Sequence, residues 1–366
     1  MHKYYDLVDK LWRELCIIPA PSHHEEKRAE YIKNTLISWG IEPKIDEAKN
    51  VIVEFEEKTA ETVVFEAHTD TVFPDMDKLP FSEDEKNVYC PGSGDDTAEV
   101  AMLLATVKYI IDSRKKPKNT ILIVFNSCEE GLGNLKGTKA IIEKLGENVA
   151  AFYTFDGRYS DVVNISVGSH RYKVTVKTEG GHSYSAFGNK NAAEILSRGI
   201  SKIYDLDAPQ IDGKTTYNVG VISGGTSVNT IIQEAEMLCE YRSESYENLE
   251  FMKRKFQGIF EYMQSLGGSI TVKEVGVRPC MKNVDKEKMQ EMTEFVKRIQ
   301  KKHTGLDVKE TSGSTDCNIP HSMGIPAVCV GTYMGGGMHT REEWVEKASI
   351  PIGFNITKDI VTHYFE

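Results

Sequence analysis

The sequence predicts an α/β protein: a mixed, largely parallel, helix-covered sheet interrupted by an inserted ferredoxin-like βαββαβ domain. Three observations lead there. A chain of 366 residues is longer than one hydrophobic core ordinarily serves. Apolar strands alternate with helical stretches from Thr62 to Phe155, and the alternation resumes beyond Pro279, as in a parallel sheet covered by helices. Between them the order becomes β-α-β-β-α-β with half-exposed strands, which is the pattern of a small ferredoxin-like domain. The expected organisation is a discontinuous domain of residues 1–166 and 279–366, with a lid of residues 167–278 inserted into it.

The elements follow in order. Leu7, Val8, Leu11, Trp12 and Leu15 fall at helical spacing among Asp6, Asp9, Lys10, Arg13 and Glu14, giving an amphipathic first helix and not a signal segment. After a turn at Pro19 to Pro21, Ser22 followed by Glu25 has the form of a capping box opening a helix that Gly40 ends. His23 and His24 would then lie in the first turn as a solvated helix start, not a ligand cluster. A strand from Thr62 to Ala67, a helix after Thr97, a strand from Thr120 to Asn126, a helix after Gly137 and a strand from Ala151 to Phe155 build the alternation.

From about Val167 the pattern changes. Tyr172, Val174 and Val176 alternate with Lys173, Thr175 and Lys177, so one face of that strand is open. A helix from Asn191 and strands from Thr215 and Glu234 come next. They are followed by a helix striped by Leu249, Met252, Phe256, Ile259, Phe260 and Met263, and by a strand from Ser269. Beyond Pro279 lie a helix after Asp285, a strand from Ala327 to Val330 and a last helix.

Composition narrows the partners. A formal net charge of -11 works against nucleic acid or an anionic membrane, which are bound chiefly through Lys and Arg. Excess acid suits cation binding, though it equally suits a solvated surface. The seven cysteines are scattered with no C-x-x-C pair, which reads as reduced, buried thiols and neither a disulfide framework nor a Cys zinc site. No uninterrupted apolar run is long enough to span a membrane, so the cytoplasm is the expected compartment.

The residues that carry chemistry lie at strand ends. His68 and Asp70 stand where an apolar strand runs out, and residues two apart on a strand share a face. Alone they are a polar contact as readily as a ligand and its tautomer-fixing partner. Asp95 and Asp96 follow Pro91-Gly92-Ser93-Gly94 and precede a helix, where an acid can simply cap. Adjacent Glu129 and Glu130 repel one another at the end of a buried strand and need either solvent or a cation. Asp156 and His339 have plain loop readings. Together, however, these residues gather where open α/β sheets build their sites. One His, a bridging Asp and a carboxylate can hold a first metal, while a second His, another acid and the shared Asp hold its partner, an N/O donor set suited to zinc.

The ordered series His68-Thr69-Asp70-Thr71-Val72, Gly94-Asp95-Asp96, Glu129-Glu130-Gly131, Gly181-His182-Ser183, Gly224-Gly225 with Asn229, Tyr241-Arg242-Ser243, Ser314-Thr315-Asp316 with Asn318, Gly324-Ile325-Pro326 and His339-Thr340 spans essentially the whole chain. It resembles the two-zinc metallopeptidases that include peptidase T, carboxypeptidase G, aminoacylase and succinyl-diaminopimelate desuccinylase. The resemblance implies a zinc-peptidase-like fold and two divalent ions per subunit, zinc before cobalt or manganese. It places His68 and Glu130 on one ion, Asp156 and His339 on the other, and Asp95 between them. It makes Glu129 the general base and Asp70 the partner of His68, with Asn229 and Arg242 holding substrate. It also implies a homodimer through the lid, in which His182 reaches the partner subunit's oxyanion. Thr97 and Cys317 depart from a frequent Lys and a frequent Ala; neither is a proposed ligand.

The expected chemistry is hydrolysis of an amide bond in a small peptide by a water activated between two ions, with Glu129 taking its proton. An aminopeptidase-like di- or tripeptidase is the first reading, because the resembling family typically has Asp at the position of Asp156 in aminopeptidases and dipeptidases, and Glu in acylases, carboxypeptidases and desuccinylases. An N-acyl-amino-acid amidohydrolase or carboxypeptidase is the alternative. A catalytically silent binding protein would not require Glu129. No G-x-S-x-G elbow is present, and Gly131, Gly133 and Gly137 lack dinucleotide-binding spacing.

Overall fold

A computed structural model describes residues 1–57 and 61–366. The chain forms two compact units, Met1–Ile165 with Lys282–Glu366, and Ser166–Met281.

The first unit is built on an eight-stranded sheet. Its four central strands, in the spatial order Thr120–Asn126, Thr62–His68, Val149–Phe155 and Ala327–Val330, run parallel. Val51–Phe55 joins one side antiparallel and Asp161–Ser166 the other, with Lys44–Ile45 and Lys309–Gly313 at the edges. Every residue of Thr62–His68 and Ala327–Val330 is buried, as both faces of a helix-covered parallel strand should be. The helix Thr97–Ser113 is buried almost all round and packs against the helices His2–Cys16 and Ser349–Thr362. Because the four central strands are parallel, their carboxyl ends open on one edge of the sheet.

The strands that sequence periodicity does not announce are mostly short or half exposed. Asp161–Ser166 and Lys309–Gly313 carry few apolar residues in succession. A small sheet of Gly335–Gly336, Trp344–Glu346, Asn87–Tyr89 and Ser82–Glu83 is made of pieces too short for any period to emerge. The expected capping box at Ser22 and Glu25 does not form. The helix begins at Glu26 with no side-chain cap, and His23 and His24 precede it. The Glu25 carboxylate instead accepts the His23 and Cys128 N–H groups at 2.7 and 3.2 Å, and the Ser22 hydroxyl donates to Asp70 Oδ2 at 2.6 Å. The helix starts three residues later than the box requires, and each side chain is engaged elsewhere, Glu25 as an acceptor of other N–H groups and Ser22 as a donor to a buried carboxylate.

The second unit has a four-stranded antiparallel sheet in the order Thr215–Gly224, Glu234–Ser243, Gly168–Lys177, Ser269–Arg278. The helices Ala192–Tyr204 and Tyr246–Ser265 cover one face, and Val174, Val176, Met237, Met252, Phe256 and Met263 share its core. The helix stripe predicted from Leu249 to Met263 is that buried face. All seven cysteines are free and buried, and among the described residues no helix is long and apolar enough to cross a membrane.

Candidate metal centre and active site

The carboxyl ends of the parallel strands bring the predicted residues of the first unit together. His68 ends its strand and is 1% exposed. Its Nε2 lies 3.1 Å from Asp95 Oδ1, and its Nδ1 lies 3.1 Å from the Asp70 carbonyl and 3.5 Å from Asp70 Oδ1. Asp95 Oδ2 lies 3.0 Å from His339 Nε2, which is also 3.3 Å from Glu130 Oε1. Three sets place their ligand atoms within 4.8 Å of one another: His68, Asp95 and Asp156; Asp95, Glu130 and His339; and His68, Glu129 and Glu130. The first two share Asp95. They also exchange the expected pairing, since Asp156 groups with His68 and Glu130 with His339. Both acids follow strands that flank that of His68, so strand order alone does not choose between them; His339 comes from a loop, and its Nε2 reaches Glu130 Oε1 at 3.3 Å.

Asp70 is fully buried and holds three donors besides its contact with His68. Its Oδ1 accepts the Glu129 N–H at 2.9 Å, while its Oδ2 accepts the Glu130 N–H at 3.0 Å and the Ser22 hydroxyl. Burial pushes the Asp70 carboxyl up, but the hydrogen bonds from His68, Ser22 and Glu130 outweigh it and hold it below the ordinary aspartate value. Asp95 is likewise held far down against its burial by the two histidines.

The other acids go the opposite way. Burial and the Asp95 charge push Glu130 and Asp156 each up to about 8. Hydrogen bonds to Asp95 and Glu130 raise His339 to about 11, and the surrounding carboxylates raise His68 although its burial opposes this. Carboxyls that resist ionisation beside histidines that resist neutrality describe a pocket short of positive charge. A divalent cation would correct both, so the residues fit the expected metals.

Asp96 has no helix-capping role. Its Oδ2 accepts the His68 N–H at 2.7 Å, and the helix after it begins without a side-chain cap. Glu343, which sequence reasoning passed over, is buried with its carboxylate against the Asp95 loop, accepting the N–H groups of Gly92, Gly94 and Asp95. Nothing in the run Arg341-Glu342-Glu343 distinguishes it from its exposed neighbour Glu342.

The remaining predicted residues lie in the second unit. His182 is exposed on a two-residue strand whose partner is Thr230–Ile231, and the Asn229 carbonyl accepts the Ser183 N–H at 2.9 Å. His182 and Asn229 are therefore carried on paired loops. The His182 Nδ1 accepts the backbone N–H groups of Tyr184 and Ser185 at 3.3 and 3.5 Å, which favours the tautomer with its proton on Nε2. Arg242 lies apart from them on the sheet, with Nε and Nη2 on the Glu240 carboxylate at 2.8 and 3.1 Å.

The chain is similar to known proteins in sequence and in fold. The chain is 25% identical over 336 residues to the uncharacterised protein YqjE of Bacillus subtilis, covering 86% of this chain and 87% of that one. Its fold is similar to that of the aminopeptidase PepT of Bacillus cereus, with a TM-score of 0.76, 21% identity and 98% of each chain covered. It is also similar to a tripeptidase of Staphylococcus aureus, with a TM-score of 0.78, 20% identity and 98% of each chain covered. The description "Peptidase family M20/M25/M40" matches residues 64–363, a span that runs from the strand of His68 to beyond His339. On that match, the chain is a hydrolase of the metallopeptidase class and belongs to Peptidase family M20/M25/M40.

Proposed function

We propose that the protein is an aminopeptidase-like di- or tripeptidase that cleaves the amide bond of unblocked small peptides in the cytoplasm. The observation that carries this reading is the pair of donor sets sharing Asp95, with Glu129 beside them. His68 and Asp156 would hold one divalent ion, Glu130 and His339 the other, and Asp95 both. The mixed imidazole and carboxylate donors favour zinc, with cobalt or manganese as substitutes. Bound there, two such ions supply an acidified water and a Lewis acid for the scissile carbonyl.

This chain's own residues do the rest. Glu129 takes the proton of the attacking water and passes it to the departing amine. Asp70 turns the His68 ring and, through the two N–H groups it accepts, fixes where Glu129 and Glu130 start. His182, with its proton on Nε2, donates to the developing oxyanion of a partner subunit in a dimer joined through residues 167–278, the lid. Asn229 and Arg242 hold the substrate, Arg242 by its far carboxylate. The seven buried free thiols support a reducing compartment.

The substrate class turns on Asp156. A side chain one methylene shorter than Glu leaves its ion freer to meet a terminal amine, and that supports free peptides over acylated ones. A panel of dipeptides and tripeptides, each free and N-acetylated, tests this with fully metallated protein. The free peptides should be cleaved with much the higher kcat/KM. Faster cleavage of N-acyl amino acids than of the matching free peptides would replace the aminopeptidase with an amidohydrolase.

A further inference from the structure

The Asp95 loop is held from below by one side chain that no part of the proposed chemistry uses. Glu343 is 1% exposed. Its Oε2 accepts the Gly92 N–H at 2.7 Å, and its Oε1 accepts those of Gly94 and Asp95 at 2.9 and 3.0 Å. Its own carbonyl accepts the Cys90 N–H at 3.1 Å.

Glycines give the loop its tight path between its neighbours. Gly92 has φ +73°, in the left-handed region, and a Cβ on Gly94 would come within 2.5 Å of the Tyr333 ring. Backbone N–H groups converging in this way form a nest that calls for an anion, and here the anion is a carboxylate of the chain itself. The last of the three donors is the N–H of Asp95, whose two oxygens meet His68 on one side and His339 on the other. Glu343 also belongs to the segment that carries His339, so one stretch of chain brings in a histidine and fastens the aspartate that it meets.

We propose that Glu343 is a positioning residue: by gripping the Asp95 N–H and the two glycine N–H groups before it, it aims the Asp95 carboxylate between the two histidines and thereby sets how tightly the two ions are held. This rests on the reading of Asp95 as the residue shared by both ions. Gln in its place keeps the shape but turns an amide N–H toward a backbone donor. Asp keeps the charge but withdraws it by one methylene. In either variant Asp95 keeps its side chain and loses its aim.

The test compares Glu343→Gln and Glu343→Asp with Trp12→Phe, which removes the indole bond to the Ser93 carbonyl in the same loop, 2.7 Å long, without touching the Asp95 N–H. The metal-free melting temperature, the zinc and cobalt dissociation constants by chelator competition, and the visible spectrum of the cobalt form are read for each. The Glu343 variants should bind at least one ion about 10–100-fold more weakly, with an altered cobalt spectrum. Their kcat should recover largely at saturating metal. Trp12→Phe should lower the melting temperature and leave both constants and the spectrum unchanged. Glu343 variants that melt earlier but bind both ions normally overturn the proposal, as does an equal loss of affinity in Trp12→Phe. If Glu343→Gln fails to fold, Glu343→Asp decides by the same readings. A wild-type chain that takes up fewer than two ions fails the Asp95 reading itself, a separate result.

Discussion

His68 and His182 are both expected to serve one reaction, and their surroundings could hardly differ more. His68 is sealed in, with a carboxylate at Nε2, the Asp70 carbonyl at Nδ1 and even its backbone N–H held by Asp96. His182 stands in the open on a two-residue strand, with its Nδ1 engaged by neighbouring backbone N–H groups. The first is determined by the fold of its own unit. The second is carried on a pair of loops and left open. Holding an ion calls for the former, and meeting a substrate that must enter and leave calls for the latter.

The largest effect should come from the sealed side. Glu129→Gln is expected to keep the fold and the metal content and to lower kcat by roughly 10²–10⁴, the scale of general-base catalysis. Near-normal turnover at full metal loading would take Glu129 out of that role.

The open side should behave otherwise. His182→Ala is expected to leave metal titration unchanged and to lower kcat by about 10²–10³, as loss of an oxyanion donor does. Mixing it with inactive Glu129→Gln after subunit exchange should restore part of the activity, because one site of the hybrid regains both residues. A properly exchanged hybrid with no recovery would place His182 in its own subunit's site or outside catalysis.

The smallest effect is in protons. Glu130 and Asp156, each near 8, and His339, near 11, are largely protonated at pH 7 without metal. The folded values all lie above the unfolded ones. The carboxyls therefore contribute less stability to the metal-free protein as pH climbs from the unfolded carboxylate range through about 8, while the His339 contribution is lost progressively from the ordinary histidine range up to about 11. An ion must displace these protons, so zinc binding near pH 7 should release about two or more, and fewer above pH 9, by calorimetry in buffers of different ionisation heat. Release that does not diminish with rising pH would show that the two carboxyls are already ionised in the metal-free protein.

How much of this could be read beforehand depends on what each residue answers to. The buried strands Thr62–His68 and Thr120–Asn126 were legible because burial on both faces forces an apolar run, and His68, Asp70, Glu129 and Glu130 were legible because they introduce polar groups where those runs stop. The roles of Asp96 and Glu343 were hidden. Each is occupied by backbone N–H groups, which leave no trace in residue type, and Glu342 looks the same beside Glu343. The grouping of acids with histidines was hidden for a related reason. Which acid faces which histidine depends on how the loops after Thr120–Asn126, Val149–Phe155 and Ala327–Val330 turn, and both of the first two strands flank Thr62–His68.

The strand register of the second unit has a consequence for how the chain folds. Ser169, near its start, pairs directly with Arg278, near its end, so the entering and leaving segments lie side by side. Closing a flexible loop of that length would cost about 4 kcal/mol beyond a fixed term. Folded first from its own local sequence, the insertion instead presents the rest of the chain with a short gap. The strand Ala327–Val330 then finds Val149–Phe155 across an effective loop about a third as long as the sequence between them, at a closure cost lower by about 1 kcal/mol.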